Sequence, residues 1–328
     1  VYAQMMVSQS DALHLLIAGG SRDTGICRLV AAAERRGCAF VACQFDPHQI
    51  PPLAWELMAD ELRLHGALVK PQSLFLRHDV FNALSFDHDA EKQEACAQQA
   101  DGWQATWRGW LLVHPEVKVL NRGFLARVFS KPHQLILANR LGLRIPRTLI
   151  ANDMAALRQR ASQGDCIVKP VQGGQLTASL SDTLRHCPAD VSASLMPAIV
   201  QSRLDGPEYR IFLVGDATIA FRVESALLDY RADQSSVGVV QVDINTAAIA
   251  AVLPALRSLA DALGLDFCAA DFKTDSTTGE LVFLEVNEQP MFARFDQESG
   301  GQLCGAILDA LLNNLETPRV TLNTLSVA

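Results

Sequence analysis

The sequence predicts an α/β and α+β protein: a small, mostly parallel sheet first, then antiparallel strand pairs backed by helices. Three observations carry this. Near the N-terminus the apolar run Leu13–Ala18 ends in Gly19-Gly20-Ser21, and the stretch after it sets Ile26, Leu29, Val30 and Ala33 on one helical side before Gly37. Further on, Tyr209–Val214 and Thr218–Glu224 are separated only by Gly215-Asp216, the spacing of a tight hairpin. Near the C-terminus, Phe267–Asp271 and Leu281–Asn287 flank a polar turn around Thr278-Gly279.

The chain of 328 residues is long enough for two or three packed units, and 49% hydrophobic residues exclude a disordered protein. The net charge of -8 comes with no basic stripe, so a nucleic-acid partner is not expected, while a small anionic ligand is compatible. Eight cysteines lie far apart without a CxxC pair, which fits reduced thiols in a cytoplasmic enzyme. Residues 1–11 show no secretory signal, and no apolar run reaches the roughly 18 to 20 residues of a membrane span. The expectation is a soluble protein without membrane or nucleic-acid partners. A homodimer contact through the apolar helices of the first domain stays open.

Taken in order, the elements give reasons for this layout. Cys38–Cys43 reads as the second strand, and Ala67–Val69 and Ser73–Arg77 as two more of the same parallel sheet. Gly19-Gly20-Ser21 after a strand either receives a phosphate at a helix N-terminus or is a plain tight turn. The full GxGxxG pattern is missing, so no dinucleotide is assigned. Between residues 90 and 130 the pattern is helical, with Trp103, Trp107 and Trp110 on one face as an anchor between domains. Pro132 suits the first turn of a helix carrying Leu135, Ala138 and Leu141 and ending at Gly142. Ile145–Ile150 is extended, and Asn152 or Asp153 caps the next helix.

Cys166–Pro170 is a strand whose Lys169 precedes the loop Gln172-Gly173-Gly174-Gln175, a fitting place to hold phosphates under a flap, although such loops are common. In the hairpin, Arg210 shares a side with Phe212 and Val214. Arg222 shares one with Ala220 and Glu224 and is either a buried functional cation or half of a surface ion pair. A helix from about residue 248 to 263 packs behind this hairpin. Alternation sends Glu285 and Asn287 to one face of their strand, and Asp271 ends the neighbouring one. Three oxygen ligands without cysteine or histidine suit magnesium and the phosphates it carries; the alternative is a hairpin with a polar outer side. Arg294, just beyond, is a candidate clamp for a substrate carboxylate, and Ser299-Gly300-Gly301 either shapes an anion pocket or simply N-caps the helix carrying Leu303, Ile307 and Leu308.

The order of Lys131, Leu143–Thr148, Ile167–Pro170, the glycine loop, Tyr209–Asp216, Asp271 and Phe283–Asn287 resembles the ATP-grasp superfamily of carboxylate–amine ligases. Within it the chain is similar to the branch that modifies ribosomal protein tails and crosslinks microviridin-type peptides. The resemblance runs from about Trp103 to Leu312. It implies an ATP-grasp fold with an N-terminal preATP-grasp (Rossmann-like) domain over 1–130, a central subdomain with the phosphate lid over 131–205 and a C-terminal subdomain with the metal site over 206–328.

It also implies roles. Lys131 and Lys169 contact the ATP phosphates, Gly173 and Gly174 form the lid, and Gln201 lies at the adenine hinge. Glu208 meets the ribose, Arg210 and Arg222 face the reacting phosphate and acyl group, and Asp271, Glu285 and Asn287 hold one or two Mg²⁺ ions. After Gln201 the family carries glutamate where this chain has Ser202, and Glu288–Phe292 departs from the Gly-Gln-Trp ending of the crosslinking enzymes. The implied activity joins an activated carboxylate to an amine of an amino acid or peptide. A small-molecule kinase and a non-catalytic ATP-binding partner protein are the alternatives.

Overall fold

A computed structural model describes residues 15–46, 50–77, 90–124, 130–171, 176–225, 227–228 and 237–313. The chain forms two compact units, one holding the described residues up to Leu120 together with those from Cys304, the other Asn121–Leu303.

The first unit opens with β1 (Leu15–Gly20), α1 (Thr24–Arg35) and β2 (Phe40–Phe45). Its sheet order is β2-β1-β6-β7, with β6 (Ser73–Leu76) and β7 (Lys118–Val119) parallel to β1. The expected strand–helix alternation stops after β2. In place of a second crossover helix the chain makes a meander, β3 (Leu53–Glu56), β4 (Glu61–Leu64) and β5 (Ala67–Leu68), which forms a separate antiparallel sheet. Ala67 and Leu68 therefore belong to this sheet and not to the parallel one. Both are exposed, and a parallel strand covered on two faces has no place for them.

The turn after β1 is closed by the chain's own groups. Asp23 caps α1, its Oδ1 accepting from the backbone N–H groups of Gly25 (2.8 Å) and Ile26 (3.1 Å), while Oδ2 accepts from Arg77 Nε at 2.9 Å. A carboxylate already sits where a phosphate would bind, so the plain-turn reading of Gly19-Gly20-Ser21 holds. Gly19 is required by packing, since a Cβ there would overlap Ile26.

α2 (Ala90–Val113) carries the tryptophans. Trp107 and Trp110 are buried and meet edge to face at 6.3 Å, and Trp103 meets Phe45 at 6.1 Å, contacts that lie inside the first unit. Trp110 stacks on His114, whose Nε2 lies 3.0 Å from Asp60 in the β3–β4 turn.

The second unit begins at Asn121 (φ 61°), whose Nδ2 donates to the carbonyls of Phe267 and Glu288 and whose Oδ1 accepts from the N–H groups of Asp266 and Phe267. It ties together the start of one strand and the exit of its neighbour. α3 (Lys131–Arg140) follows, with Pro132 in its first turn and Gly142 (φ 94°) just past its end.

A four-stranded antiparallel sheet comes next, in the order β10-β9-β11-β8: β8 (Thr148–Asp153), β9 (Cys166–Pro170), β10 (Ala178–Ser179) and β11 (Ala193–Ser202). Asp153 caps α4 (Met154–Ser162), and Ser179 caps α5 (Leu180–Arg185). Leu149, Ala151, Cys166, Val168 and Val200 on one sheet face pack against Met154 and Leu157 of α4 and Leu180 and Leu184 of α5.

A five-stranded antiparallel sheet completes the unit. It comprises β12 (Glu208–Val214), β13 (Ala217–Glu224), β14 (Gly238–Val242), β15 (Phe267–Thr274) and β16 (Leu281–Asn287), ordered β14-β13-β12-β15-β16. One face, with Ile211, Leu213, Ala220, Cys268, Ala270, Phe272, Phe283 and Val286, packs on α3 and on α6 (Ala247–Leu263). α6 ends at Gly264 (φ 71°), whose Cα side faces Gly123 so closely that a Cβ at 123 would lie 3.1 Å from it. α7 (Ala293–Glu298) and α8 (Gln302–Leu312) close the described chain. Among the described residues, no helix is long and apolar enough to cross a membrane.

Burial raises the Cys43 and Cys268 thiols from 9.0 to about 12, against a partial opposing effect of Arg257 on Cys268. A thiol with a raised folded pKa holds its proton where the unfolded chain loses it. Its contribution to stability is full below pH 9.0 and is lost as pH rises through about 12. Both thiols are expected to resist alkylation at pH 8.5 in the folded protein and to react at once in denaturant, as read by peptide mass mapping.

Candidate functional site

Directly opposed residues of antiparallel strands share a face, so the register of the second unit's larger sheet identifies the site. Arg210 of β12 pairs with Asp271 of β15, and Asp271 with Glu285 of β16. These three form a row across the sheet on the face opposite α3 and α6. Two residues further on, Asn287 opposes Ala269 on the same face and donates its Nδ2 to Asp271 Oδ2 at 3.2 Å.

β16 reaches this face by an irregularity that alternation alone does not foresee. Phe283 opposes Phe272, but Glu285 opposes Asp271, leaving Leu284 as an extra residue in β16. The core-facing residues are accordingly Leu281, Phe283 and then Val286, a spacing of two followed by three. In an unbroken strand Glu285 and Asn287 would follow Phe283 into the apolar core. The bulge turns both to the polar face.

Arg210 is buried and its Nη1 lies 3.2 and 3.3 Å from the two carboxylate oxygens of Asp271. The guanidinium also lies over the rings of Phe212 (5.5 Å) and Phe295 (5.4 Å), so it is held both by charge and by aromatic faces. Lys131, the first residue of α3, reaches Glu285 Oε2 with its Nζ at 3.0 Å. Glu208 is on the same face further along β12 and lies 3.9 Å from Lys273.

The smaller sheet has the same division. Its face away from α4 and α5 bears Thr148, Ile150, Ile167, Lys169, Ile199 and Gln201 by register. Gln201 is fully buried, with Nε2 donating to Thr148 Oγ1 at 3.0 Å and Oε1 without a partner among the described residues. Ser202 points to the other face, where Arg160 donates to its hydroxyl (3.0 Å) and to the Arg147 carbonyl (3.1 Å). Gly173 and Gly174 lie outside the described residues.

Three of the expected groups have other partners in the structure. Arg222 opposes Tyr209, not Arg210, so it lies on the helix side of the sheet and pairs with Glu224 near the surface. The reason is the hairpin register, which gives Arg210 and Arg222 opposite faces. Arg294 donates to the Val237 carbonyl, which ties α7 to the start of β14. The Ser299, Gly300 and Gly301 N–H groups donate to the carbonyls of Phe295, Gln297 and Asp296. They close the C-terminus of α7, a different helix end from the expected N-cap of the helix carrying Leu303, Ile307 and Leu308.

Sequence reasoning missed Gln134, whose Oε1 accepts from the Val286 N–H at 3.1 Å, and Asn121, which joins the ends of β15 and β16. Gln134 had a legible signal: a glutamine on the apolar side of α3 among Leu135 and Ala138.

The donor set fits a hard divalent cation. Asp271 and Glu285 supply carboxylates and Asn287 an amide oxygen, with no sulfur or imidazole beside them. Among the described residues no third His, Cys, Asp or Glu joins them, so a cation here would take further oxygens from a bound phosphate or water.

No protein-family model matches the chain, and no curated protein matches it. Solved structures do. The ATP-grasp ligase PsnB, complexed with a phosphomimetic variant of its minimal precursor, Mg and ADP, is 23% identical and superposes with a TM-score of 0.70 over 92% of this chain and 98% of that one. The macrocyclase MdnC of Microcystis aeruginosa, bound with precursor peptide MdnA, is 20% identical, with a TM-score of 0.66 over 92% and 99% of the two chains. An ATP-grasp ligase of Chryseobacterium gregarium, in complex with ADP and a leader and core peptide, is 18% identical, with a TM-score of 0.64 over 91% and 96%. The chain therefore has the ATP-grasp fold, in agreement with the fold its motifs resemble.

Removing one side of the Arg210–Asp271 pair leaves an uncompensated buried charge. Arg210→Ala is expected to lower unfolding free energy by about 3 kcal/mol or more in urea titration, whereas Arg222→Ala, at an exposed pair, should change it by less than about 1 kcal/mol.

Proposed function

We propose that this chain is an ATP-dependent ligase that activates a substrate carboxylate as an acyl phosphate and joins it to an amine of an amino acid or peptide. The observation that carries this reading is the row Arg210–Asp271–Glu285, with Lys131 on Glu285 and Asn287 on Asp271, on the sheet face opposite α3 and α6. Solved neighbours of the same fold hold ADP and Mg or a precursor peptide, which supports nucleotide, cation and peptide as ligands here.

Asp271, Glu285 and Asn287 would hold Mg²⁺, which when bound supplies positive charge to phosphate oxygens. Lys131 and Lys169, on α3 and β9, supply further positive charge for the phosphates. A carboxylate oxygen of the substrate attacks the γ-phosphorus and ADP leaves. The amine nitrogen then attacks the acyl carbon, a C–N bond forms, the amine loses a proton and phosphate departs.

Arg210 is fixed before either step by Asp271 and two aromatic rings, so it offers a preorganised cation for the charge that develops on the acyl oxygen. Arg222, on the opposite face, has no part in this step. The lid role of Gly173 and Gly174 is to exclude water from the acyl phosphate. Arg294, held on the Val237 carbonyl, would position α7 beside the site.

The test measures ADP release by purified protein with amino acids and short peptides, with product mass read alongside. A product weighing the carboxylate and amine substrates together less one water, or one peptide less one water where both groups lie in it, supports ligation; gain of a phosphoryl group identifies a kinase, and nucleotide binding without turnover identifies a partner protein. Lys169→Ala and Glu285→Ala are each expected to lower turnover at least about 100-fold while the far-UV circular dichroism spectrum is unchanged. Normal turnover by either variant would sink the assignment.

A further inference from the structure

The bulge in β16 must be held, because it exchanges regular ladder bonding for a change of face. Before the bulge, the Phe283 N–H points to the free side of β16 and donates to the Arg144 carbonyl at 2.8 Å. In a regular strand the Val286 N–H would point the other way, towards β15. With Leu284 inserted, it points to the side away from β15, where no strand among the described residues pairs with it. The acceptor it meets is Gln134 Oε1 of α3, at 3.1 Å in a buried setting.

We propose that Gln134 is a positioning residue for the cation site: by accepting from the Val286 N–H it locks the bulge that keeps Glu285 and Asn287 on the face of Asp271. This rests on the cation-binding reading above. One turn of α3 grips two consecutive residues of β16, Lys131 through the Glu285 carboxylate and Gln134 through the Val286 backbone.

The amide orientation is fixed, because turning it over would set Nε2 donor to donor against the Val286 N–H. Its consequence is that Nε2, on a residue 1% exposed, has no partner among the described residues. An apolar side chain would avoid that unsatisfied donor but would abandon the Val286 N–H. Accepting one unpaired group to secure the bulge is what a positioning role requires.

The test compares the full chain with Gln134→Met, which keeps volume and removes the acceptor, and Gln134→Glu, which keeps an acceptor. Two quantities are read, hydrogen exchange at the Val286 amide and the affinity for Mn²⁺ in the presence of ADP by electron paramagnetic resonance. Gln134→Met is expected to speed Val286 exchange and weaken Mn²⁺ binding, each about tenfold or more, and Gln134→Glu is expected to recover most of both. Unchanged Val286 exchange in Gln134→Met overturns the lock. Faster exchange with unchanged Mn²⁺ affinity overturns the positioning role, as does equal impairment in both variants. If the wild-type protein binds no Mn²⁺ with ADP, the cation reading itself fails and the positioning role fails with it.

Discussion

One additional residue in β16 decides on which face of the sheet Glu285 and Asn287 lie. With Leu284 inserted opposite the Asp271–Phe272 step, Phe283 and Val286 both face the helices while Glu285 and Asn287 face away from them. A carboxylate directed into the α3–α6 core would carry a desolvation cost of several kcal/mol without a partner. The bulge therefore reconciles an apolar back face with a polar front face in a single short strand.

Around this feature the second unit repeats one arrangement twice. Each antiparallel sheet packs one face on a pair of helices and sets polar side chains among apolar ones on the other: Lys169, Gln201 and Thr148 on the smaller sheet, Arg210, Asp271, Glu285 and Asn287 on the larger. The charges on the larger sheet are paired, Arg210 with Asp271 within it and Glu285 with Lys131 of α3. Such pairing keeps the side chains oriented, and a ligand bringing phosphates and a cation would exchange partners among groups already in place.

Much of the fold was legible. The alternation of β1, α1 and β2, the Gly215-Asp216 hairpin, the proline in the first turn of α3, the cap at Asp153 and the glycines after α1 and α3 all rest on local chemistry that a sequence displays. The meander of β3, β4 and β5 was not legible, because Ala67–Val69 looks alike in a parallel or an antiparallel sheet. The sequence allows Arg222 two settings, and the pairing of Tyr209 with Arg222 selects the surface one.

By itself the sequence determined the kind of chemistry: three oxygen ligands on neighbouring strands, a lysine at a strand end, another at a helix start and an arginine in a strand, and no histidine or cysteine among them. Residue type and period-two spacing are local properties, so they survive without a structure. Tertiary structure alone decided which face those residues occupy. A strand's phase depends on its register with neighbours, on a bulge and on an acceptor such as Gln134, which lies 152 positions away in the chain from the N–H it receives.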